Sequence, residues 1–177
     1  IYKYSACIMI CTHDLSILCD PWFGCNAYDG TWGQYPHTND VVNFIGDFDI
    51  VYISHIHPDH YCKETLDLLF KNFGEKKILI ADWGEDKANY LKKKIRGDGY
   101  DHLLSISNNE IFHDTEINIV PNKTDSISDI DSAIIVSSRK SGRSVLNIND
   151  CIYNKSHFEQ ILKLKEQLEI EFTLFCL

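Results

Sequence analysis

The sequence predicts a layered fold of α/β or α+β class, with helices outside a mixed sheet. Three observations predict it. Short apolar runs rich in β-favouring residues outnumber helical patterns, amphipathic helices are interleaved among those runs, and no internal repeat or low-complexity segment interrupts them. At 177 residues, with 44% hydrophobic and 24% charged residues, a single domain spanning 1–177 with a buried core is expected.

Residues 4–12 and 16–19 read as strands, paired as a hairpin across His13-Asp14. Asp20-Pro21-Trp22 ends the second. Residues 23–40 are rich in Gly, Asn, Asp and aromatic residues and show no helical period. A loop this long is usually functional or disordered, and Trp22, Phe23, Tyr28, Trp32 and Tyr35 are too many rings for disorder. An ordered flap beside a site is therefore expected, with Trp22, Trp32 and Tyr35 as substrate-contact candidates. The alternative is that the rings cover one edge of the core.

Residues 41–47 read as a connector and 50–54 as a buried strand. An amphipathic helix over 62–70 ends near Gly74, and residues 77–81 form the next strand. A second helix over 86–96 is stopped by Gly97 and Gly99. Strands follow near 102–106, 111–112 and 116–120, then a hairpin of 133–138 and 144–148 with Gly142 in its turn. Ser156-His157-Phe158-Glu159 reads as a capping box for a helix with Phe158, Ile161, Leu162, Leu164 and Leu168 on one face. A last strand covers 170–177.

The chemistry concentrates where the central strand ends. Val51-Tyr52-Ile53-Ser54 empties into His55, His57, Asp59 and His60, four side chains able to bind a metal. In extended backbone, positions two apart point to the same side, so His55 and His57 can grip one ion. Pro58 favours a turn that swings Asp59 and His60 toward the same pocket or a second ion. Imidazole and carboxylate together suit zinc, with iron or manganese as alternatives. Otherwise these are surface residues following a strand.

Composition narrows the partners. Seventeen basic against twenty-six acidic residues give a net charge of -9, which argues against a broad grip on nucleic acid. No apolar run is long enough to span a bilayer and no secretory signal is present. Seven cysteines, mostly in apolar runs, read as reduced and cytoplasmic. Cys11-Thr12-His13 is half of a Rieske iron–sulfur motif, but Cys25-Asn26-Ala27-Tyr28 does not supply the other half.

The run His55-x-His57-x-Asp59-His60 after an apolar strand, the paired N-terminal strands closed by Asp20, and Asp150 after a late strand resemble the metallo-β-lactamase superfamily. That resemblance implies an α+β fold, a layered αββα sandwich with metals at one edge of its two sheets. It implies that His55 and His57 hold a first metal, that Asp59 and His60 hold a second, and that Asp150 bridges them. Asp20 matches a buried carboxylate expected to fix a ring by accepting its N–H; capping the following turn is the alternative.

Within the superfamily, several features are similar to the lactamase-like domain of CMP-N-acetylneuraminate hydroxylases. They are Asp20-Pro21-Trp22, the loop with Trp32, residues 52–57, Asp131 with its strand, and residues 145–147 through Asp150-Cys151. This implies a small-molecule substrate connected with sugars or nucleotide sugars; the hydroxylase also needs a Rieske centre, which this chain lacks.

Two departures from the family pattern stand out. Ile127 falls where a third histidine of the first metal is expected, between Asp125 and Asp129. The family's final histidine lies beyond a strand like 170–177, so the chain, starting at Ile1 and ending at Leu177, is expected to be a piece of a longer protein. His13, His37, His102, His113 and His157 read as surface or core residues, His157 being nearest in sequence to Asp150.

The expected function is a metal-dependent hydrolase holding one or two ions. It would turn activated water on a phosphoester, ester or amide, with Asp59 orienting that water. The competing reading is a non-hydrolytic member that binds a sugar, a nucleotide sugar or a partner chain, or serves a hydroxylase system. An amidohydrolase-type barrel would need about 250 residues, more than this chain has.

Overall fold

The computed structural model describes residues 1–35, 37–38, 40–84, 90–124, 131–168 and 171–175. In chain order the elements are β1 (Tyr2–Tyr4), β2 (Cys7–Cys11), β3 (Ser16–Cys19), α1 (Val41–Ile45), β4 (Ile50–Tyr52), α2 (Lys63–Phe73), β5 (Lys77–Ile80) and α3 (Tyr90–Gly97). A 3-10 turn (Asp101–Leu103) leads to β6 (Leu104–Ile106), β7 (Asn109–Phe112), β8 (Thr115–Pro121), β9 (Ser132–Ser138), β10 (Arg143–Asn147), α4 (Lys155–Leu168) and β11 (Glu171–Phe175).

Two sheets result. The first runs β1 to β6 in sequence order, antiparallel from β1 to β3 and parallel from β3 to β6. Each parallel step needs a crossover, and the chain segments holding α1, α2 and α3 make them in turn. The second sheet has the order β11-β10-β9-β8-β7, antiparallel except for β11, which joins β10 in parallel after α4.

The strands read as continuous apolar runs because both of their faces are buried. Alternation splits each run between two cores. Cys7, Met9, Leu18, Val51, Ile78 and Ile80 pack with residues of α1, α2 and α3. Their neighbours Ile8, Ile10, Ile17, Cys19, Ile50, Tyr52 and Leu79 meet Ile117, Ile119, Ile134 and Val136 of the second sheet. The outer face of that sheet (Val120, Ala133, Ile135, Leu146) packs against Ile161 of α4. The layers are helix, sheet, sheet, helix: the expected αββα sandwich.

Four local readings need correction. Residues 41–47 are not a mere connector: Asp40 accepts the Asn43 amide at 3.1 Å and starts α1, which buries Val41 and Ile45 one turn apart. Strand β1 was not foreseen; three residues form it by pairing with β2. Helix α4 is capped not by Ser156 but by Asn154, whose Oδ1 accepts the amides of Ser156 at 3.0 Å and His157 at 3.4 Å. On that helix Phe158 and Leu162 lie outward and exposed, while Ile161 and His157 are buried. The stretch 86–89, assigned to a helix, lies outside the described residues, as do Asp125, Ile127 and Asp129.

The cysteines are not all free. Cys25 of the aromatic loop is joined in a disulfide to Cys62, the residue preceding α2, across a sequence separation of 37. The sequence has no Cys-x-x-Cys signal for this pair, because the fold alone brings the loop onto the helix start.

Candidate metal centre

The centre lies where the C-terminal ends of β3 and β4 in the first sheet meet the start of β9 and the end of β10 in the second. Strand β3 stops because Asp20 takes a left-handed backbone, φ 44°, a conformation short polar residues tolerate. Its amide donates to the Tyr52 carbonyl at 2.9 Å, which holds the turn beside β4. The carboxylate is fully buried and fully used. Asp20 Oδ1 accepts the Ser54 amide at 2.8 Å, and Oδ2 accepts the Ser54 hydroxyl at 2.7 Å and His60 Nδ1–H at 3.1 Å.

This network fixes the His55 tautomer and the orientation of both rings. Because the Ser54 hydroxyl gives its hydrogen to Asp20, its oxygen accepts from His55 Nδ1–H at 2.9 Å. Asp131 Oδ1 lies 3.5 Å from the same nitrogen. His60 Nδ1–H is spent on Asp20. Both rings thus turn Nε2 toward the open side, and His57 Nδ1 faces His55 Nε2 at 2.7 Å. One buried carboxylate orients His60 directly and His55 through a serine.

The second sheet supplies the remaining carboxylate. Strand β10 ends at Asn147, and Asn149 adopts φ 47° in a turn where its amide and side chain pair with the Asn147 side chain. That turn delivers Asp150, whose Oδ2 lies 3.3 Å from His60 Nε2 and 4.0 Å from His55 Nε2. Asp59 Oδ2 is 3.7 Å from His60 Nε2. The sheets are bolted together just behind this point: the Tyr52 hydroxyl is 2.7 Å from the Ser132 hydroxyl, which donates to the Ser54 carbonyl at 2.9 Å.

Charge follows geometry. Burial drives His55 down to about 3, with His60 and His57 opposing its proton as well, so its ring is neutral. Burial also acts against a charge on His60, but Asp20 and Asp150 on either side outweigh it and raise this imidazole to about 10. The hydrogen bond from His60 in turn holds Asp150 below the usual carboxylate range. Burial and the acceptor Asp59 lift the Tyr28 phenol to about 12.

The donor set fits a metal ion. Ligand bonds of about 2.0–2.2 Å place two donors of one ion no more than about 4.4 Å apart, and the separations of 3.3 and 4.0 Å from Asp150 to the two imidazoles satisfy that. One ligand atom from each of His55, His60 and Asp150 lies within 4.8 Å of the others. His57, exposed, and Asp59, buried, stand at the rim. Three of the five proposed ligands, His55, His60 and Asp150, are therefore grouped, while His57 Nδ1 lies 2.7 Å from His55 Nε2 and Asp59 Oδ2 lies 3.7 Å from His60 Nε2.

The aromatic candidates divide. A cavity of about 370 Å³ at the centre is lined by Tyr2, Ser5, Ala6, Tyr28, Trp32, Asp59, His60 and Asp150. Trp32 reaches it. Trp22 does not: it is buried with Ala27 and Cys62 and donates from Nε1 to the Cys25 carbonyl at 2.8 Å. Tyr35 is 88% exposed, its carbonyl held by the Tyr4 hydroxyl, and it does not line the cavity. Tyr28, not singled out from the sequence, does, and its hydroxyl donates to Asp59 Oδ1 at 2.9 Å. Ser54 and Asp131 were likewise not assigned roles. Ser54 had a signal, since it lies beside His55 at the strand end; Tyr28 had none beyond aromatic density. His157 is buried away from the cluster, donating from Nε2 to the Val120 carbonyl at 2.9 Å, and burial lowers its pKa.

The family model described as beta-lactamase superfamily domain matches residues 1–133. A protein of Mycolicibacterium smegmatis named for a Rieske 2Fe-2S iron–sulfur centre is 28% identical over 144 residues, 76% of this chain and 26% of its own length. The cytidine monophosphate-N-acetylneuraminic acid hydroxylase of Asterias rubens is 34% identical over 82 residues, 46% of this chain and 13% of its own. The chain thus matches about a quarter or less of these relatives' length.

Among solved structures, a Veillonella parvula protein described as a possible metal-dependent hydrolase superposes with TM-score 0.63 at 14% identity, over 91% of this chain and 65% of its own. CmlA, a diiron beta-hydroxylase of Streptomyces venezuelae, superposes with TM-score 0.59 at 19% identity, over 82% and 28%. No helix among the described residues is long and apolar enough to cross a membrane.

Proposed function

The chain belongs to the beta-lactamase superfamily, and from that premise we propose that it is a metal-dependent hydrolase with its centre at His55, His57, Asp59, His60 and Asp150. The observation that carries this reading is the convergence of Asp150, from the second sheet, on the Nε2 atoms of His55 and His60. Zinc, or iron or manganese in its place, would supply Lewis acidity and an activated water when bound there. The chain's own residues do the rest. Asp20 and Ser54 hold both imidazoles with Nε2 toward the open side, Asp59 would orient the water, and Trp32 and Tyr28 line the cavity that would receive the substrate. A phosphoester, ester or amide of a sugar or nucleotide sugar is the proposed substrate class.

A second reading has its own support. The donors are imidazole and carboxylate with no thiolate among them, a set that suits iron as well as zinc, and the fold is shared with a diiron hydroxylase. In that reading the domain is the metal-holding part of a hydroxylase system.

Metal analysis of the purified chain, with turnover of bis-p-nitrophenyl phosphate and dioxygen uptake under reductant, separates the two. Stoichiometric zinc with chelator-sensitive phosphodiester turnover supports the hydrolase. Stoichiometric iron with dioxygen uptake and no phosphodiester turnover favours the second reading, and the absence of any stoichiometric ion overturns both.

A further inference from the structure

The segment from Ala27 to Trp32 is the least comfortable backbone near the centre. Tyr28 (φ 51°), Asp29 (φ 54°) and Gly30 (φ 87°) are consecutive left-handed residues. Glycine tolerates this freely, whereas an aromatic residue in that region is a genuine outlier that persists only when its surroundings hold it there. Those surroundings are identifiable. Ala27 and Trp32 pair as a bridge, the Thr31 hydroxyl donates to the Tyr28 carbonyl at 2.7 Å, and the Trp32 ring meets Tyr28 edge-on with centroids 5.1 Å apart.

What the strained turn achieves is the placement of one side chain. The Tyr28 ring lies 6.3 Å from the His57 ring, and its hydroxyl donates to Asp59 Oδ1 at 2.9 Å. The other oxygen of that carboxylate, Oδ2, is the one turned to His60 Nε2. A carboxylate at a turn can rotate about its terminal bond and exchange its oxygens; a fixed donor on one oxygen stops that rotation.

We propose that Tyr28 is a positioning residue for the metal centre: by holding Asp59 Oδ1 it commits Oδ2 to the histidine cluster and ties the aromatic loop to the ligand set. The proposal rests on the metal-centre reading above. Asp59 is thereby restrained from two directions, by its own backbone turn and by a phenol from a loop 31 residues earlier. Conserving the ring but not the oxygen removes one of them.

The test uses the 177-residue chain with Tyr28→Phe, Asp59→Asn and the double variant, titrated with zinc or cobalt against a competing chelator. Tyr28→Phe keeps the ring packing on Trp32, so its metal-free melting temperature is expected to fall by no more than about 2–4 °C, the loss of one hydrogen bond. Its metal affinity is expected to fall about 10- to 100-fold, the range for losing a hydrogen-bond partner of a ligand, with a changed cobalt absorption spectrum. In the Asp59→Asn background the same substitution is expected to add little. Wild-type affinity and spectrum in Tyr28→Phe would overturn the proposal while leaving the metal centre standing. An equal loss with and without the Asp59 carboxylate would overturn it too, since Tyr28 would then act elsewhere. If wild type binds neither ion, the metal-centre reading fails and this proposal with it.

Discussion

The two sheets contribute to the centre in opposite ways. The first sheet offers Asp20, Ser54, His55 and His60, all buried and locked into one hydrogen-bonded unit. The second offers Asp150, whose side chain is 44% exposed and which follows a left-handed turn rather than sitting in a strand. A metal site needs both. The buried half would set the direction of the ring nitrogens, and the accessible half would close on an ion without first being desolvated. His60 sits between the halves, with a buried carboxylate behind its Nδ1 and an accessible one before its Nε2.

Exchanging the two carboxylates for alanine breaks this comparison most sharply. Asp20→Ala leaves a buried imidazole and serine without their shared acceptor, and is expected to remove about 3 kcal/mol of folding stability. At about 2–4 °C per kcal/mol for a chain of this size, a thermal melt should show it even without metal. Asp150→Ala is expected to change the metal-free melt by less than about 1 kcal/mol, while weakening metal binding by more than the ~100-fold upper range for loss of a ligand's supporting partner. Equal effects of the two substitutions on the melt would mean that the halves are not distinct.

Acidity gives the next separation. His60 is raised in the folded chain to about 10 from 6.5. Its contribution to stability is therefore fully present below pH 6.5 and is lost as pH rises through about 10. The metal-free chain is expected to lose stability across that window, and His60→Ala should lack the slope. Because an ion must displace the same proton, metal affinity should rise over the range in which metal-free stability falls. Parallel trends would contradict the placement of His60 between two carboxylates.

The smallest expected effect comes from Ser54→Ala, which removes the relay from Asp20 to His55 but leaves Asp20 bound to His60. About 2 kcal/mol of stability, that of the two hydrogen bonds the hydroxyl makes, is expected to go, with about a 10-fold loss of metal affinity. Chemical denaturation and chelator competition on this variant would show whether the relay orients His55 or merely accompanies it.

The amino-acid sequence by itself determined a good deal. The ligand-rich run from His55 to His60 was visible because it is local: an apolar strand, alternation by two, then a proline turn. The layers were visible for a similar reason, since strands with two buried faces must be apolar throughout, while α2 carries only one apolar side. The Asp40 cap with Val41 and Ile45 one turn apart was also on the page as a helix signal, though five residues is too few for periodicity to stand out.

Tertiary structure decided the rest, because proximity in space leaves no periodic trace in a chain. Strand β1 exists only through its partner. Trp22 and Trp32 look equivalent in sequence, yet one is packed beneath the loop and the other lines the cavity. Phe158 and Leu162 continue an apolar pattern on α4, but the sheet below reaches only as far as Ile161 and its neighbours. The joining of Cys25 to Cys62 and the grip of Tyr28 on Asp59 follow from where an irregular loop comes to rest. Local chemistry set out the candidate ligands; the packing of one sheet on the other brought Asp150 to meet them.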